Sequence, residues 1–341
     1  MERIAVVGID LGKRTFHLHA QDARGQEVLR RKTSRSQLIS FLAKLPPCQV
    51  VMEACSGAHW LARRGQELGH DVKLIAPQYV KPFVKGMKHD FADAQAICEA
   101  ASRPSMRFAG IKSTDQQTLS MLHRVRESLV RERTAVINQI HAFLLEFGVS
   151  LPIGHASIKR LAVIVDDPQW GLPQSLKQLL QRWQEHYRYL DQQVGELERE
   201  LRRSVAEDET AQRLLAIPGI GPITASALAA EAGTTRQFAC SRDFAASLGL
   251  VPRQHSTGGK PKLLGISKRG DAHLRRLLVQ GARAVMRRTD QRQDALALWT
   301  RTLLARRHSN IVACALANKM ARIVWAILAR NTTYQPQPLA T

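Results

Sequence analysis

The sequence predicts an α/β domain on a mixed sheet, a long helical insertion, and a mainly helical C-terminal domain. Three observations carry this prediction. Short β-branched runs alternate with helix-spaced segments over the first 77 residues. No Pro or Gly interrupts residues 114–147, and apolar residues recur at alternating fours and threes over 176–201.

Taken in order, residues 3–8 (RIAVVG) are continuous and β-branched, while 16–22 (FHLHAQD) alternate apolar and polar. Together they predict two strands of a hairpin. Residues 36–45 have helical spacing, 48–54 (CQVVMEA) read as a strand, 57–69 as a helix stopped by a glycine, and 71–77 (DVKLIAP) as a further strand. Over 114–147, Leu122, Val125, Leu129, Val136, Ile140, Phe143 and Phe147 lie three, four or seven apart, which defines one face of a single long helix. Leu176, Leu180, Trp183, Tyr187, Leu190, Val194, Leu197 and Leu201 form a heptad seam. Such a seam packs within the chain or pairs with a second chain, and a partner chain is slightly favoured. Residues 214–233 (LLAIPGIGPITASALAAEAG) read as helix, tight turn, helix. A turn built on Gly219 and Gly221 lets backbone N–H groups approach an anion at the positive end of the next helix. This helix-hairpin-helix pattern fits sequence-independent contact with a DNA backbone; the alternative is an αα-hairpin packed on the core. The resulting division is 1–112, 113–206, 207–331 and a flexible tail, 332–341.

Charge narrows the partner. The 341 residues carry 50 Lys and Arg against 29 Asp and Glu, a net +21. Residues 251–330 hold 17 of the cations and only Asp271, Asp290 and Asp294 as acids. Concentrated cations of this kind favour a polyanion, and nucleic acid above all. The five cysteines lie far apart with no CxxC pair, which argues against a zinc site or disulfide framework and for a reducing cytoplasm. The N-terminus shows no signal-peptide pattern. The apolar stretch 311–329 is interrupted by Lys319 and Arg322, so it reads as a buried helix and no membrane association is expected.

Four carboxylates carry the candidate chemistry. Asp10 closes the first strand, Glu53 ends the QVVME strand, and Asp90 and Asp93 stand three apart, on one helical face. Their convergence at strand ends raises each other's pKa unless a cation neutralises them. Oxygen ligands suit Mg²⁺ or Mn²⁺, and two such ions can clamp a phosphodiester during transfer. The plainer alternative treats Asp10 and Glu53 as caps and the other two as solvated acids. A sugar-kinase-like or actin-like ATPase also opens on GIDLG, but it needs a second glycine-rich phosphate loop that this sequence lacks.

Two hydroxyls, Ser256 and Thr257, precede a Gly-Gly turn among Arg253, His255, Lys260, Lys262, Lys268 and Arg269, with Arg275 and Arg276 following. A loop that grips phosphates would use these residues, and so would a nucleophile that holds one strand covalently.

Asp10 in GIDLGK, Glu53 in VMEACSG, the KHDFADA pair, IPGIG, and LGLVP…STGGK…GISKRGDAHLRRLLVQGA resemble the DEDD transposases of bacterial insertion sequences. The resemblance covers nearly the whole chain, in the same order. It implies a RuvC-like, ribonuclease-H-like N-terminal domain whose metal tetrad is Asp10, Glu53, Asp90 and Asp93. It also implies a C-terminal transposase domain whose serine attacks DNA to form a phosphoserine link. Similar recombinases are guided by a bridge RNA that pairs with donor and target DNA, and the long helices would join subunits into a dimer that doubles on synapsis. Aligned from GLVP, the serine position directly before the first Gly holds Thr257, with Ser256 one place earlier. The less hindered primary hydroxyl favours Ser256, with Thr257 in reserve. Two other readings stay open: a Mg²⁺-dependent junction nuclease without covalent chemistry, and a non-catalytic nucleic-acid-binding remnant.

Overall fold

The computed structural model describes residues 4–85, 89–152, 154–231 and 238–336. The chain divides into two compact units. The first comprises residues 1–116, 230–272 and 321–332, and the second 117–229, 273–320 and 333–341.

In the first unit, β1 (Val6–Leu11), β2 (Thr15–Gln21), β3 (Glu27–Ser34), β4 (Gln49–Glu53), β5 (Asp71–Ile75) and β6 (Phe108–Ala109) form one sheet of order 3-2-1-4-5-6. β1, β4 and β5 run parallel, whereas β2, β3 and β6 add antiparallel neighbours. This is the expected mixed α/β sheet, and it is consistent with a RuvC-like domain. Strands β3 and β6 have no counterpart in the sequence reading. β3 (EVLRRKTS) carries Arg30, Arg31 and Lys32 on an edge, with only Thr33 buried, so no apolar alternation marks it. β6 has two residues.

Period-two alternation gives the sheet two unlike faces. Val7, Ile9, Val50 and Met52 pack with Leu38 and Leu42 of α1 (Arg35–Lys44) and Leu61 of α2 (Ala58–Glu67). Val51 and Ile75 pack on the other side with Ala96, Ile97 and Ala100 of α4 (Asp90–Ala101), which follows the short α3 (Pro77–Val80). The parity that buries Val7 and Ile9 under α1 and α2 puts Gly8 and Asp10 on the α4 face. Gly8 is where α4 comes closest: a Cβ there would lie 2.5 Å from the Ala94 carbonyl oxygen and 2.7 Å from Cys98 Sγ. Cys98 Sγ in turn donates to the His19 carbonyl at 3.2 Å, fixing the helix along β1 and β2.

The second unit is helical. It includes most of α5 (Thr114–Leu145), with α6 (His155–Lys159), α7 (Leu161–Asp166), α8 (Gln174–Glu207), α9 (Glu209–Leu215) and α10 (Pro222–Ala230). The single long helix expected over 114–147 is α5. The heptad seam lies on α8, and its first half is covered from within the chain. Leu180, Tyr187 and Leu190, with Leu176 and Trp183 alongside, are packed within the chain against Val136, Ile137, Ile140 and Leu144 of α5. Arg126–Glu198 and Arg133–Asp191 ion pairs close the α5–α8 contact. An apolar stripe buries itself against the nearest apolar face, and α5 supplies one from the same chain.

The C-terminal half continues with α11 (Ser241–Ser247), the hairpin β7 (Pro252–Gln254) and β8 (Leu263–Ile266), α12 (Ala272–Met286), α13 (Ala295–Leu304) and α14 (Ser309–Arg330). Helix α14 is long and apolar enough to cross a membrane by length and composition. Its Val312, Leu316, Met320, Val324 and Ile327 form a buried stripe, as expected of a core helix. The helix-turn-helix segment is α9, the turn and α10; its predicted end at 232–233 lies outside the described residues, as does 337–341 of the expected tail.

Candidate active site

Strand β1 carries Asp10 one position before its end, since Leu11 still pairs with Phe16. β1 and β4 run parallel with Ile9 beside Met52, so Asp10 and Glu53 are successive in register at the same sheet end. Alternation puts both on the α4 face. Helix α4 begins there: His89 caps it by accepting from the Ala92 N–H at 3.1 Å, and Asp90 and Asp93 fill its first turn. Acids suit that position, because the helix dipole is positive at the N-terminus.

The carboxylates at this sheet end act on one another electrostatically. Burial pushes the Asp10 carboxyl above its ordinary value, and the Asp93 and Asp90 carboxylates push it further, opposed by His17 and the Leu11 N–H. Burial also raises the Cys55 thiol, and Glu53 and Asp10 add to the effect, so both carboxylates act on the loop after β4. Asp10, His17 and Asp90 each offer a ligand atom, all within 4.8 Å of one another.

His17 is the residue that sequence reading passed over. It lies opposite Asp10 across the β1–β2 ladder, is buried, and places Nδ1 3.4 Å from Asp90 Oδ2. Its ring meets Phe91 edge-on at 4.7 Å, and the Arg30 guanidinium covers that phenyl at 4.5 Å. The signal was present in FHLHAQD, because counting back through a tight β1–β2 turn sets His17 opposite Asp10.

This donor set fits Mg²⁺ or Mn²⁺. Carboxylate oxygens are the ligands these hard cations take, and His17, with Nδ1 on Asp90 Oδ2, stands where it can orient one of them. The like charges that strain Asp10 are what a divalent cation relieves.

The hydroxyl loop belongs to the same unit as the carboxylates. His255 N–H donates to the Lys262 carbonyl at 3.0 Å and Lys260 N–H to the Thr257 carbonyl at 3.1 Å, so the hairpin continues to its tip. Gly258 and Gly259 both have positive φ, 56° and 73°, as a two-residue hairpin turn requires. Ser256 and Thr257 therefore point to opposite faces of the ribbon. Ser256 Oγ accepts from Gln254 Nε2 at 2.7 Å and from the Lys262 N–H at 3.3 Å. The base of the hairpin is held by backbone contact between the LGLVP and SKRGD stretches. A Cβ at Gly270 would fall 1.7 Å from the Ser247 carbonyl oxygen, and Lys268 N–H donates to the Gly249 carbonyl at 3.1 Å.

Arg253, His255, Lys260, Lys262, Lys268 and Arg269 are exposed on or below the hairpin. Arg276 differs from its neighbours. It pairs with Glu127 at 2.7 Å and contacts His273 Nδ1 at 3.2 Å, so its guanidinium is engaged in fixing α12 to α5. Arg275, on the same helix, is partly buried. Gly219 has φ 84° in the turn before α10 and sits directly on Gly281 of α12, whereas Gly221 has open space where a Cβ would be.

Comparison with known proteins covers most of the chain. Residues 7–148 match the profile of the DEDD_Tnp_IS110 family, described as transposase, and residues 211–297 that of the transposase IS116/IS110/IS902 family. The chain is 57% identical over 334 residues to a protein of Yersinia enterocolitica named transposase for insertion sequence element IS1328, covering 98% of this chain and 99% of that one. It is 51% identical to a probable family 20 transposase of Pseudomonas aeruginosa, covering 97% and 98%. It is 42% identical to the transposase for insertion sequence element IS1111A of Coxiella burnetii, covering 98% and 92%.

Proposed function

The chain belongs to the IS116/IS110/IS902 family of DEDD transposases and is a DNA transposase, and from that premise we propose that it cuts and rejoins DNA through a divalent-metal carboxylate site and a covalent serine. The observation that carries the proposal is the convergence of Asp10, Asp90, Asp93 and His17 on one sheet face, with Glu53 beside Asp10 in register.

Asp10, Glu53, Asp90 and Asp93 would hold Mg²⁺ or Mn²⁺, which when bound supplies Lewis-acid stabilisation of charge on a phosphoryl group. His17 orients the Asp90 carboxylate. Ser256 Oγ attacks the scissile phosphorus; a P–O bond to the strand oxygen breaks, the serine loses its proton, and the departing oxygen gains one. Rejoining reverses these steps and conserves one phosphodiester per strand. Gln254 Nε2 and the Lys262 N–H stabilise negative charge as it develops on Oγ, which favours Ser256 over Thr257. Arg253, His255, Lys260, Lys262, Lys268 and Arg269 would contact phosphates around the hairpin, and the Gly219–Gly221 turn would approach the backbone as a helix-hairpin-helix element. Sequence choice would come from a bridge RNA paired with both DNAs, and a dimer would bring the two ends together.

The test is covalent trapping. The protein is incubated with Mg²⁺, the element's noncoding RNA and DNA spanning its end, then denatured and examined for a protein–DNA adduct by gel and mass spectrometry. Adduct formation by wild type and Thr257→Ala but not Ser256→Ala supports the proposal. Metal-dependent cleavage without an adduct in any variant replaces it with a nuclease.

A further inference from the structure

The second unit contains an open cavity of about 660 Å³ beside the turn that precedes α10. Gly219, Ile220 and Gly221 form one wall, and Arg287, Arg288 and Gln291, at and beyond the end of α12, form the other. The two walls meet backbone to backbone at Gly219 and Gly281. A Cβ at Gly281 would lie 2.0 Å from the Gly219 carbonyl oxygen, and one at Gly219 would lie 2.7 Å from the Gly281 carbonyl oxygen. The turn is thus seated on α12, and less than two helical turns later the chain presents two adjacent arginines.

These arginines differ from the other basic residues nearby. Arg292, at the rim, is neutralised by Asp294, whose carboxyl is held low by the Ala297 N–H and by Arg292 itself, against the opposing effect of its burial. Arg276 is committed to Glu127. Among the described residues, no carboxylate pairs with Arg287 or Arg288, and both are exposed. A second cavity, of about 400 Å³, opens on the far side of Arg287, lined by Arg283, Ser309 and Asn310. Arg283 donates to Asn310 Oδ1 at 3.0 Å, which holds its guanidinium at that cavity.

We propose that these two cavities, joined at Arg287, form a track for consecutive phosphates of a DNA duplex. The reasons are chemical. Unpaired guanidiniums recognise phosphate bidentately, and a glycine turn lets a bulky anion reach the backbone. No aromatic side chain lines either cavity. Single-stranded and looped RNA is gripped chiefly by stacking on aromatic rings, so walls that offer arginines and a glycine turn but no ring to stack on suit a duplex read through its backbone. The track rests on the reading of the Gly219–Gly221 turn as a backbone-contact element and adds its side-chain partners. It does not depend on the carboxylates or on Ser256.

The test measures equilibrium binding of the full chain to a duplex, in EDTA, between about 50 and about 200 mM salt. The double variant Arg287→Gln/Arg288→Gln is compared with a control that loses equal charge from exposed positions on α8, Arg182→Gln/Arg203→Gln, with circular dichroism confirming that both fold. The cavity variant is expected to bind roughly 10- to 100-fold more weakly, and its slope of log affinity against log salt to shrink by about 1.8, the loss of two phosphate contacts. The control should change neither by more than a small fraction of that. Equal losses in both variants, or no loss in the cavity variant, would overturn the track, as would a loss confined to a hairpin RNA with duplex binding intact. Equilibrium binding in EDTA requires neither a bound metal nor a covalent step, so failure of the catalytic reading leaves this test standing.

Discussion

His17 Nδ1 lies 3.4 Å from the Asp90 carboxylate, joining the second strand of the sheet to the first turn of the helix laid across it. The pair spans 73 residues of sequence, and each partner belongs to the same acidic cluster as Asp10. A buried imidazole against a carboxylate fixes that carboxylate's rotamer, the role that outer-shell partners play around bound metal.

Removing this support should weaken the site without unfolding it. His17→Asn is expected to lower metal-dependent strand cleavage about 10- to 100-fold and to raise the Mg²⁺ concentration giving half-maximal cleavage. A metal titration of cleavage, with melting curves alongside, checks this. An unchanged titration midpoint would confine His17 to packing against Phe91.

Asp10 carries an opposite balance of stability and function. Burial and the Asp93 and Asp90 charges disfavour its ionised form, so Asp10→Asn removes repulsion from the metal-free fold. The EDTA-treated variant is expected to melt higher than wild type, by about 2–4 °C for each kcal/mol relieved, while DNA cleavage is lost. Calorimetry with and without Mg²⁺ is the measurement, and Mg²⁺ should stabilise wild type but not the variant.

Gly8 sets the distance between strand and helix. Gly8→Ala places a methyl against the Ala94 carbonyl and Cys98 Sγ, and neither can yield without moving α4. Overpacking of this kind costs about 1–3 kcal/mol, read by urea unfolding. Cleavage should fall further than stability explains, because α4 carries Asp90 and Asp93. Gly265→Ala, which meets open space, is the matched control.

The helical unit should be acid-sensitive at His123. Burial, with His273 and Arg126 nearby, lowers its pKa from 6.5 to about 4, and its Nε2 lies 3.1 Å from Ser226 Oγ. The unfolded chain therefore binds a proton that the folded chain refuses. Stability is unaffected above pH 6.5 and falls between 6.5 and about 4. The slope from this residue is at most about 1.4 kcal/mol per pH unit. Urea midpoints across that window should decline less steeply in His123→Gln than in wild type.

The main helices and the strands β1, β2, β4 and β5 were legible because each carries its own periodicity. Residues 114–147 and 176–201 announce helices, and the β-branched runs announce strands. β3 was not legible, because an edge strand rich in Arg and Lys shows no buried face until β2 pairs with it. The heptad seam was legible as a stripe but not as to what covers it: Leu180 and Leu190 would satisfy a second chain as well as they satisfy Ile140. Arg276 read as one more cation, and only its geometry shows it committed to Glu127.

The sequence by itself determined the chemistry available: the four carboxylates, the paired hydroxyls before a Gly-Gly turn, the glycine turn near residue 219 and the basic C-terminal half. Local residue type and spacing suffice for these, since they depend on neighbours a few positions away. The tertiary structure alone decided which groups meet. Parallel register sets Glu53 beside Asp10, Gly8 admits α4 so that Asp90 and Asp93 arrive on the same face, and His17 joins them from across a hairpin. It also assigned the Ser256 loop, some 150 residues beyond α4, to the unit that holds the carboxylates. Contacts between groups so far apart in the chain arise from close packing of buried faces, which no window of local sequence encodes.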